Sequence, residues 1–115
     1  MLIAVTSQNR KTVTDHAGRC RRFRIFTVED ARVTGEEWLE LPKEQAFHGF
    51  PAHQPHPLDR VDVLITRHMG QGMVRKLKEK GIEGVLTAVE DPSAAVQEYL
   101  GGGYERADRV RVDLG

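Results

Sequence analysis

The chain has 115 residues, enough for one hydrophobic core and too few for two. Its 17 basic and 17 acidic residues give a formal net charge of +0, so no overall positive field favours binding to nucleic acid. A hydrophobic content of 39% predicts a folded domain. The sequence has no membrane-length apolar run and no signal peptide, which predicts a cytoplasmic protein. Cys20 is its one cysteine, so no internal disulfide is expected.

The first forty or so residues predict a central strand followed by a β-hairpin. Residues 2–5 are a continuous apolar run, typical of a strand that is buried on both faces, and a polar loop follows it to Gly18. Residues 23–28 are rich in β-forming side chains. Residues 33–41 are expected to return antiparallel to them, with Gly35 as the place for a bulge.

Proline and histidine dominate residues 42–57. This segment holds His48, His53 and His56 together with three prolines after Pro42. Because proline removes a backbone donor and clashes inside helices, we expect a mobile loop with at most a short helical turn. The spacing of His53 and His56 permits a shared metal site in a turn, and a polar loop without metal is the alternative that the sequence leaves open.

The second half of the chain predicts two strand–helix units. Residues 63–65 form a buried strand, and a glycine-containing turn leads into a helix with apolar side chains at helical spacing that ends at Gly81. Residues 84–87 form the next strand. Asp91 and Pro92 then begin a second helix as its N-cap and first helical residue.

This order of elements predicts an α/β fold with a mixed sheet of about five strands flanked by helices. The apolar runs near Ile3, Leu64 and Val85 should form its parallel centre. Residues 1–103 are expected to be a single domain. Residues 104–115 are expected to be a tail, and the sequence leaves open whether it is an edge strand, an intermolecular strand or a frayed end.

Two histidines lie just beyond the ends of predicted strands. His16 follows the first strand and His68 follows residues 63–65, so both imidazoles meet at one edge of the sheet if these strands are parallel neighbours. Cys20 is close to His16 in sequence, and thiolate and imidazole together suit iron, copper, zinc or a metal–sulfur cluster. The alternative is structural, because no C-x-x-C spacing is present: His16 caps a turn, His68 is half-buried and Cys20 packs in the core.

Positive charge is concentrated near the same edge. The turn Gly70-Gln71-Gly72 and the helix start behind it offer backbone N–H groups to an anion, and Arg67 lies just before them. The alternative is a solvated basic surface without a ligand. One short stretch contains a single acidic residue, Asp15, and six basic residues: Arg10, Lys11, Arg19, Arg21, Arg22 and Arg24.

The residues give little support for catalysis. Neither a nucleophile elbow nor a carboxylate cluster for a two-metal site is present in the sequence. His68 could serve as a general base, but nothing near it in sequence resembles a partner. We therefore predict a protein that is not an enzyme, and a hydrolase that uses His68 is the alternative.

Five stretches taken together carry a resemblance: M-L-I-A-V-T-S, V-T-D-H-A-G-R, F-R-I-F-T-V-E-D, V-D-V-L-I-T-R-H-M-G-Q-G-M-V-R-K-L-K-E-K-G-I and D-P-S-A-A-V-Q-E-Y-L. In this order they resemble the nitrogenase iron–molybdenum-cofactor-binding family, the NifX/NifB type of accessory and carrier domains. The resemblance implies a three-layer, ribonuclease-H-like α/β/α fold without nuclease activity. It also implies non-catalytic binding of an anionic cluster, either the iron–molybdenum cofactor or a precursor, or a molybdenum–copper–sulfur cluster as in some relatives.

The chain departs from the family pattern at both histidines. Relatives tend to carry His-Phe-Gly where this chain has His16-Ala17-Gly18, and Gly-Gly-Met-Gly where it has Arg67-His68-Met69-Gly70. The first departure keeps the histidine, and the second adds a ligand-type side chain where small residues are usual. The expected cluster-binding residues are His16, Arg19, Cys20, Arg67, His68, Met69, Gly70 and Gly72, with His16, His68 and Cys20 as metal ligands and Arg21 adding positive charge.

The resemblance also implies the cellular role of the protein. We expect a carrier for a metal–sulfur cluster in cofactor biosynthesis or delivery, with cofactor-assembly or acceptor proteins as partners and neither nucleic acid nor membrane bound. A monomer or a weak homodimer is expected. The alternative is a small regulatory or interaction domain that binds an anionic metabolite or a protein partner without metal.

Overall fold

The computed structural model describes residues 1–51 and 53–107, and six strands in this part of the chain form one mixed sheet. The strands are β1 (Leu2–Thr6), β2 (Arg22–Glu29), β3 (Arg32–Glu40), β4 (Val63–Thr66), β5 (Glu83–Leu86) and β6 (Glu105–Arg106), in the order β3-β2-β1-β4-β5-β6. The helices are α1 (Gln71–Glu79) and α2 (Pro92–Leu100), and two 3-10 turns span Lys43–Gln45 and Pro57–Arg60.

The parallel centre of the sheet is the predicted one. β4 pairs in parallel with both β1 and β5, so that Leu64 lies between Ala4 and Gly84. β2 and β3 extend the sheet antiparallel on one side, and β6 does so on the other. Because β1 and β4 are parallel neighbours, the segments that leave their carboxyl ends emerge at the same edge of the sheet.

Side chains of the central strands alternate between two cores, one on each face of the sheet. Ala4 and Leu64 face a core that contains Leu77 of α1, whereas Ile3 and Ile65 face a core that contains Val96 of α2. The helices therefore cover opposite faces, and the predicted α/β sheet flanked by helices is confirmed. The likeness to ribonuclease H stays a prediction.

The hairpin of β2 and β3 turns on two residues with left-handed backbone. Asp30 and Ala31 have φ angles of 52° and 62°, the conformation of a turn that normally takes asparagine and glycine. The register shifts between Thr27 and Val28, which pair with Gly35 and Val33, so Thr34 is the extra residue. The bulge thus lies beside Gly35, where it was expected.

Two parts of the chain differ from the expected outline. Residues 42–57 contain one 3-10 turn, as expected, and a second turn begins at Pro57 and runs to Arg60. The expected mobile loop is instead anchored, because the buried side chains of Phe47 and Leu58 pack in the core. The sheet has six strands rather than about five, because Glu105 and Arg106 pair with β5 at its edge. The rest of the predicted tail, residues 108–115, lies outside the described residues.

No described helix has the length and apolar character needed to cross a membrane.

Candidate functional site

An open groove of about 360 Å³ lies at the carboxyl edge of the parallel strands. It brings together both predicted histidines, His16 and His68, with the predicted Arg19, Gly70 and Gly72. Cys20, Arg67 and Met69 are not among its lining residues. Among the described residues, the groove is lined by His16, Ala17, Gly18, Arg19, His48, His68, Gly70, Gly72 and Met73.

His16 lies at the start of a tight turn on one side of the groove. Its carbonyl oxygen accepts hydrogen bonds from the N–H groups of Arg19 at 2.8 Å and Cys20 at 3.0 Å. Its φ of 57° is left-handed, which is uncommon for a residue with a Cβ atom and places local strain at this position. The side chain is 72% exposed, and its Nε2 lies 3.5 Å from Asp15 Oδ1. The turn thus presents a solvent-accessible imidazole to the groove.

Three threonines tie the His16 loop to the end of β4. The hydroxyls of Thr6 and Thr66 are fully buried and 3.0 Å apart, and they lie 2.6 Å and 3.0 Å from the carbonyl oxygen of Thr14. The N–H of Arg67 donates to the same carbonyl at 3.3 Å. The segments that carry His16 and His68 are therefore joined by one hydrogen-bond network of Thr6, Thr14 and Thr66, which we call the threonine root. Sequence reasoning missed it, although threonines ending two apolar runs were a visible signal.

His68 and the start of α1 form the opposite wall. The His68 side chain is exposed, whereas Met69 is buried, with its Sδ 3.3 Å from the position that a Cβ on Gly84 would take. Met69 therefore packs in the core and does not line the groove, and its expected role in cluster binding stays a prediction. Gly70 is the N-cap of α1 without a side-chain cap, and the first turn of α1 holds no acidic residue. Its first N–H groups and the positive end of the helix dipole remain available to an anion.

His48 adds a third imidazole that sequence reasoning had not placed. Its backbone N–H donates to the carbonyl oxygen of Gly18 at 2.6 Å, which fixes it against the His16 turn. On the other side, Lys76 Nζ donates to the carbonyl oxygen of Phe47 at 2.6 Å, and Lys80 Nζ donates to Asp59 Oδ1 at 2.6 Å. Residues 42–51 and 53–60, which we call the clasp, therefore bridge α1 and the His16 turn.

His56 anchors the clasp from within. Its Nδ1 accepts a hydrogen bond from the N–H of Leu58 at 3.0 Å, and its Nε2 donates to the carbonyl oxygen of Gln45 at 2.6 Å. Its ring lies against Phe47 and Phe50, with centroids 4.3 Å and 4.8 Å away. Burial lowers the pKa of His56, so the neutral Nε2–H form is favoured. Because the protein uses both ring nitrogens, the metal site shared with His53 is wrong.

Cys20 lies beside the groove rather than in it. The thiol is buried, donates to the carbonyl oxygen of Arg22 at 3.1 Å, and lines a neighbouring cavity of about 390 Å³ that also borders His16. Burial raises the pKa of the Cys20 thiol, so the thiolate that a metal needs is disfavoured. Within residues 1–51 and 53–107, no three histidine, cysteine or carboxylate side chains are placed to hold a metal ion.

Half of the basic stretch is paired with carboxylates of β3. Arg10 and Arg22 approach Glu40 at 2.9 Å and 3.6 Å, and Arg24 pairs with Glu36. The hydrogen bond from Arg10 lowers the pKa of the Glu40 carboxyl, which keeps this exposed pair ionised. Arg21, expected to add charge at the site, instead donates through Nε to the carbonyl oxygen of Leu41. The hairpin register sets these partners, and composition does not reveal it. Of the stretch, Arg19 is the arginine that reaches the groove.

Comparison with known proteins places this chain in a wider group. A family model described as "Dinitrogenase iron-molybdenum cofactor" matches residues 1–102. An uncharacterised protein of Methanocaldococcus jannaschii is 22% identical over 108 residues, which cover 92% of this chain and 91% of that protein.

Solved structures share the fold over nearly the whole chain. The apo form of the orange protein from Desulfovibrio gigas has a TM-score of 0.68 at 23% identity and covers 92% of both chains. A Thermotoga protein assigned provisionally to NifB has a TM-score of 0.69 at 19% identity and covers 97% of both chains. At these identities the likeness establishes the fold alone.

Proposed function

We propose a function from one premise: the chain belongs to the dinitrogenase iron–molybdenum cofactor family. It binds and carries an iron–molybdenum cluster, a precursor of it or a related metal–sulfur cluster, and it does not transform that cluster. In this proposal the cluster is cargo, received from and passed to cofactor-assembly or acceptor proteins in the cytoplasm, by a monomer or weak homodimer.

The observation that carries the proposal is the meeting of His16 and His68 in one groove. They arrive on separate crossovers, after β1 and after β4, and both side chains are exposed. Imidazole nitrogen suits iron and other transition metals. We assign these two rings as ligands and leave Cys20 out, because its thiol is buried, hydrogen-bonded and outside the groove.

The donor set fits a multi-atom anionic cargo better than a single ion. A lone ion needs several ligands close together, and the described residues offer no such group. A cluster several ångströms across can be held by separated imidazoles at its metal atoms. Its negative charge then faces Arg19 and the uncapped start of α1. Arg67 is exposed just before His68 and adds positive charge at the rim.

An anaerobic titration tests the ligand assignment. The apo protein is mixed with an iron–molybdenum–sulfur cluster and the visible absorbance is followed for wild type, His16→Ala, His68→Ala and the double variant. We expect each single variant to lose roughly tenfold or more in affinity, and the double variant more than either. His53→Ala is the matched control, since His53 is exposed and outside the groove. Wild-type affinity in the double variant would remove the assignment.

A second candidate function uses the same wall of the groove without metal. The uncapped N-terminus of α1 together with Arg19 also suits a phosphorylated or carboxylated metabolite of a regulatory domain. Metal and sulfide analysis of protein purified without oxygen, under conditions in which the cell makes such clusters, separates the two. Stoichiometric metal and sulfide support the carrier, and their absence supports the regulatory domain.

A further inference from the structure

The clasp is held closed by contacts that converge on one buried side chain. His56 is 6% exposed and joins both 3-10 turns, because it bonds Gln45 of the first and Leu58 of the second. Asp59 Oδ2 accepts from the backbone N–H of His56 at 2.9 Å and completes the cap. We propose that the clasp is a proton-controlled wall of the groove, closed against the His16 turn while His56 is neutral and released when His56 is protonated.

Only neutral His56 satisfies these contacts. Protonation places a hydrogen on Nδ1, so that two donors, Nδ1–H and the N–H of Leu58, face each other at 3.0 Å. The bond from Nε2 to Gln45 survives, but the bond that caps the second turn is lost. A buried donor without an acceptor is unfavourable, and the second turn loses the cap that starts it.

Charged groups of both signs face His56. Lys76 of α1 and Lys80 at its C-cap repel a positive imidazole, whereas Asp59 in the second turn attracts it. The aromatic rings of Phe47 and Phe50 exclude water from the remaining faces. Burial is the largest influence, and it lowers the pKa of His56 from its ordinary value. The closed clasp is therefore fully favoured above that ordinary value, about 6.5, and is progressively weakened as the pH falls below it.

The release of His56 affects the groove through two consecutive residues of the chain, Phe47 and His48. Phe47 stacks on the His56 ring, and the next residue, His48, lines the groove and is bonded to Gly18 of the His16 turn. When the stack and the cap are lost, the wall that His48 forms keeps only the bonds of His48 to Gly18 and of Phe47 to Lys76, so it opens more readily. That this opening exposes a cluster rests on the proposed function. The opening itself is a property of the apo protein and is tested without cargo.

Amide hydrogen exchange of the apo protein followed by NMR, from about pH 7.5 to about pH 5, is the test. Rates are divided by the intrinsic rate at each pH to give protection factors. We expect the protection of Leu58, His48 and Phe50 to fall on the order of tenfold across this range, while amides of β4 hold theirs. The midpoint should coincide with the titration of the His56 ring signals in the same samples. Constant protection, or a midpoint that differs from that of His56, overturns the proposal.

Two variants complete the test. In His56→Asn, the amide oxygen can still accept from the N–H of Leu58 but takes up no proton in this range, so protection should be lower and independent of pH. His53→Gln removes an exposed histidine of the same clasp and should keep the wild-type pH dependence. A wild-type pH dependence in His56→Asn overturns the proposal. Since cluster titrations of His16 and His68 variants are made at a pH where the clasp is closed, the two proposals fail separately.

Discussion

The rim of the groove and the interior of the clasp use histidine in opposite ways. At the rim, His16 has left-handed backbone, a side chain 72% exposed and a place among the residues that line the groove. In the clasp, His56 has extended backbone, is 6% exposed and has both ring nitrogens bonded within the protein. A ring whose nitrogens are already satisfied stabilises the fold and cannot bind a ligand. An exposed ring on a residue with strained backbone contributes little to stability and is available to bind cargo.

The largest expected effect is the loss of stability on removing the clasp histidine. His56→Ala should lower the free energy of unfolding by about 2–4 kcal/mol, because it deletes a buried ring, a helical cap and a bond to Gln45. His16→Ala should change it by less than about 0.5 kcal/mol. Urea unfolding of both variants measures the contrast. Equal effects at the two positions would contradict the division between structural and ligand-binding histidines.

The next effect concerns the threonine root that joins the two sides of the groove. Thr66→Val keeps the shape of the side chain and removes its hydroxyl from the carbonyl oxygen of Thr14, so the free energy of unfolding should fall by about 1–2 kcal/mol. Cluster affinity should fall as well, because His16 and His68 lose their shared anchor.

Thr87→Val is the matched control for this root. Thr87 is also buried at a strand end, but it bonds Glu98 and the N–H of Val89, and it does not line the groove. It should show a similar loss of stability with unchanged cluster affinity. If both variants lose affinity equally, the root does not position the histidines.

The sequence was sufficient for the parts of the molecule that local pattern determines. The apolar runs around Ile3, Leu64 and Val85 predicted the parallel centre, and with it the shared edge where His16 and His68 meet. The Asp91–Pro92 start of α2 was likewise correct, with Asp91 capping the N–H of Ala94. Each of these follows from residues close together in the chain.

What the sequence did not reveal depends on contacts between distant segments. Arg24 and Arg22 looked like free positive charge until the hairpin register placed Glu36 and Glu40 beside them. Residues 42–57 looked like a polar loop because the α1 partner of Phe47, Lys76, lies some thirty residues away in sequence. Whether a histidine is structural or exposed is decided by such contacts, and spacing alone does not encode them.

The pH dependence of stability is an effect of intermediate size, and it tests the same contrast between the structural His56 and the exposed His16. Because the pKa of His56 is lowered in the folded state, the unfolded chain takes up a proton first, and stability should fall as the pH drops below about 6.5, by at most about 1.4 kcal/mol per pH unit. In His56→Asn the slope over this range should decrease. Urea unfolding at several pH values measures it, and an unchanged slope would assign the dependence to other groups.

A second loss of stability, linked to the carboxyl group of Asp59, should appear at lower pH than the His56-linked loss and be separable from it. Burial tends to raise the pKa of Asp59, but its hydrogen bonds with Lys80 and the His56 backbone outweigh this and lower it. Stability from this group is present above its ordinary pKa, near 4, and is lost as the pH falls through the lowered value. Asp59→Asn should therefore remove this low-pH loss, and it should also extend the His56-linked loss to lower pH, because the Asp59 carboxylate no longer attracts a positive imidazole.

The smallest expected effect tests whether the strain at His16 serves binding. Glycine adopts φ of 57° without penalty, so His16→Gly should raise the free energy of unfolding by about 0.5–1 kcal/mol while removing a proposed ligand and lowering cluster affinity. Ala31→Gly relieves a similar left-handed residue, φ 62°, in the hairpin far along the chain from the groove, and should stabilise without altering affinity. Greater stability in both variants, with affinity lost in His16→Gly alone, shows that the chain tolerates strain at His16 for the sake of its imidazole. No gain in His16→Gly, beside a gain in Ala31→Gly, would mean that contacts of the His16 turn already compensate its backbone and that the position stores no strain for function.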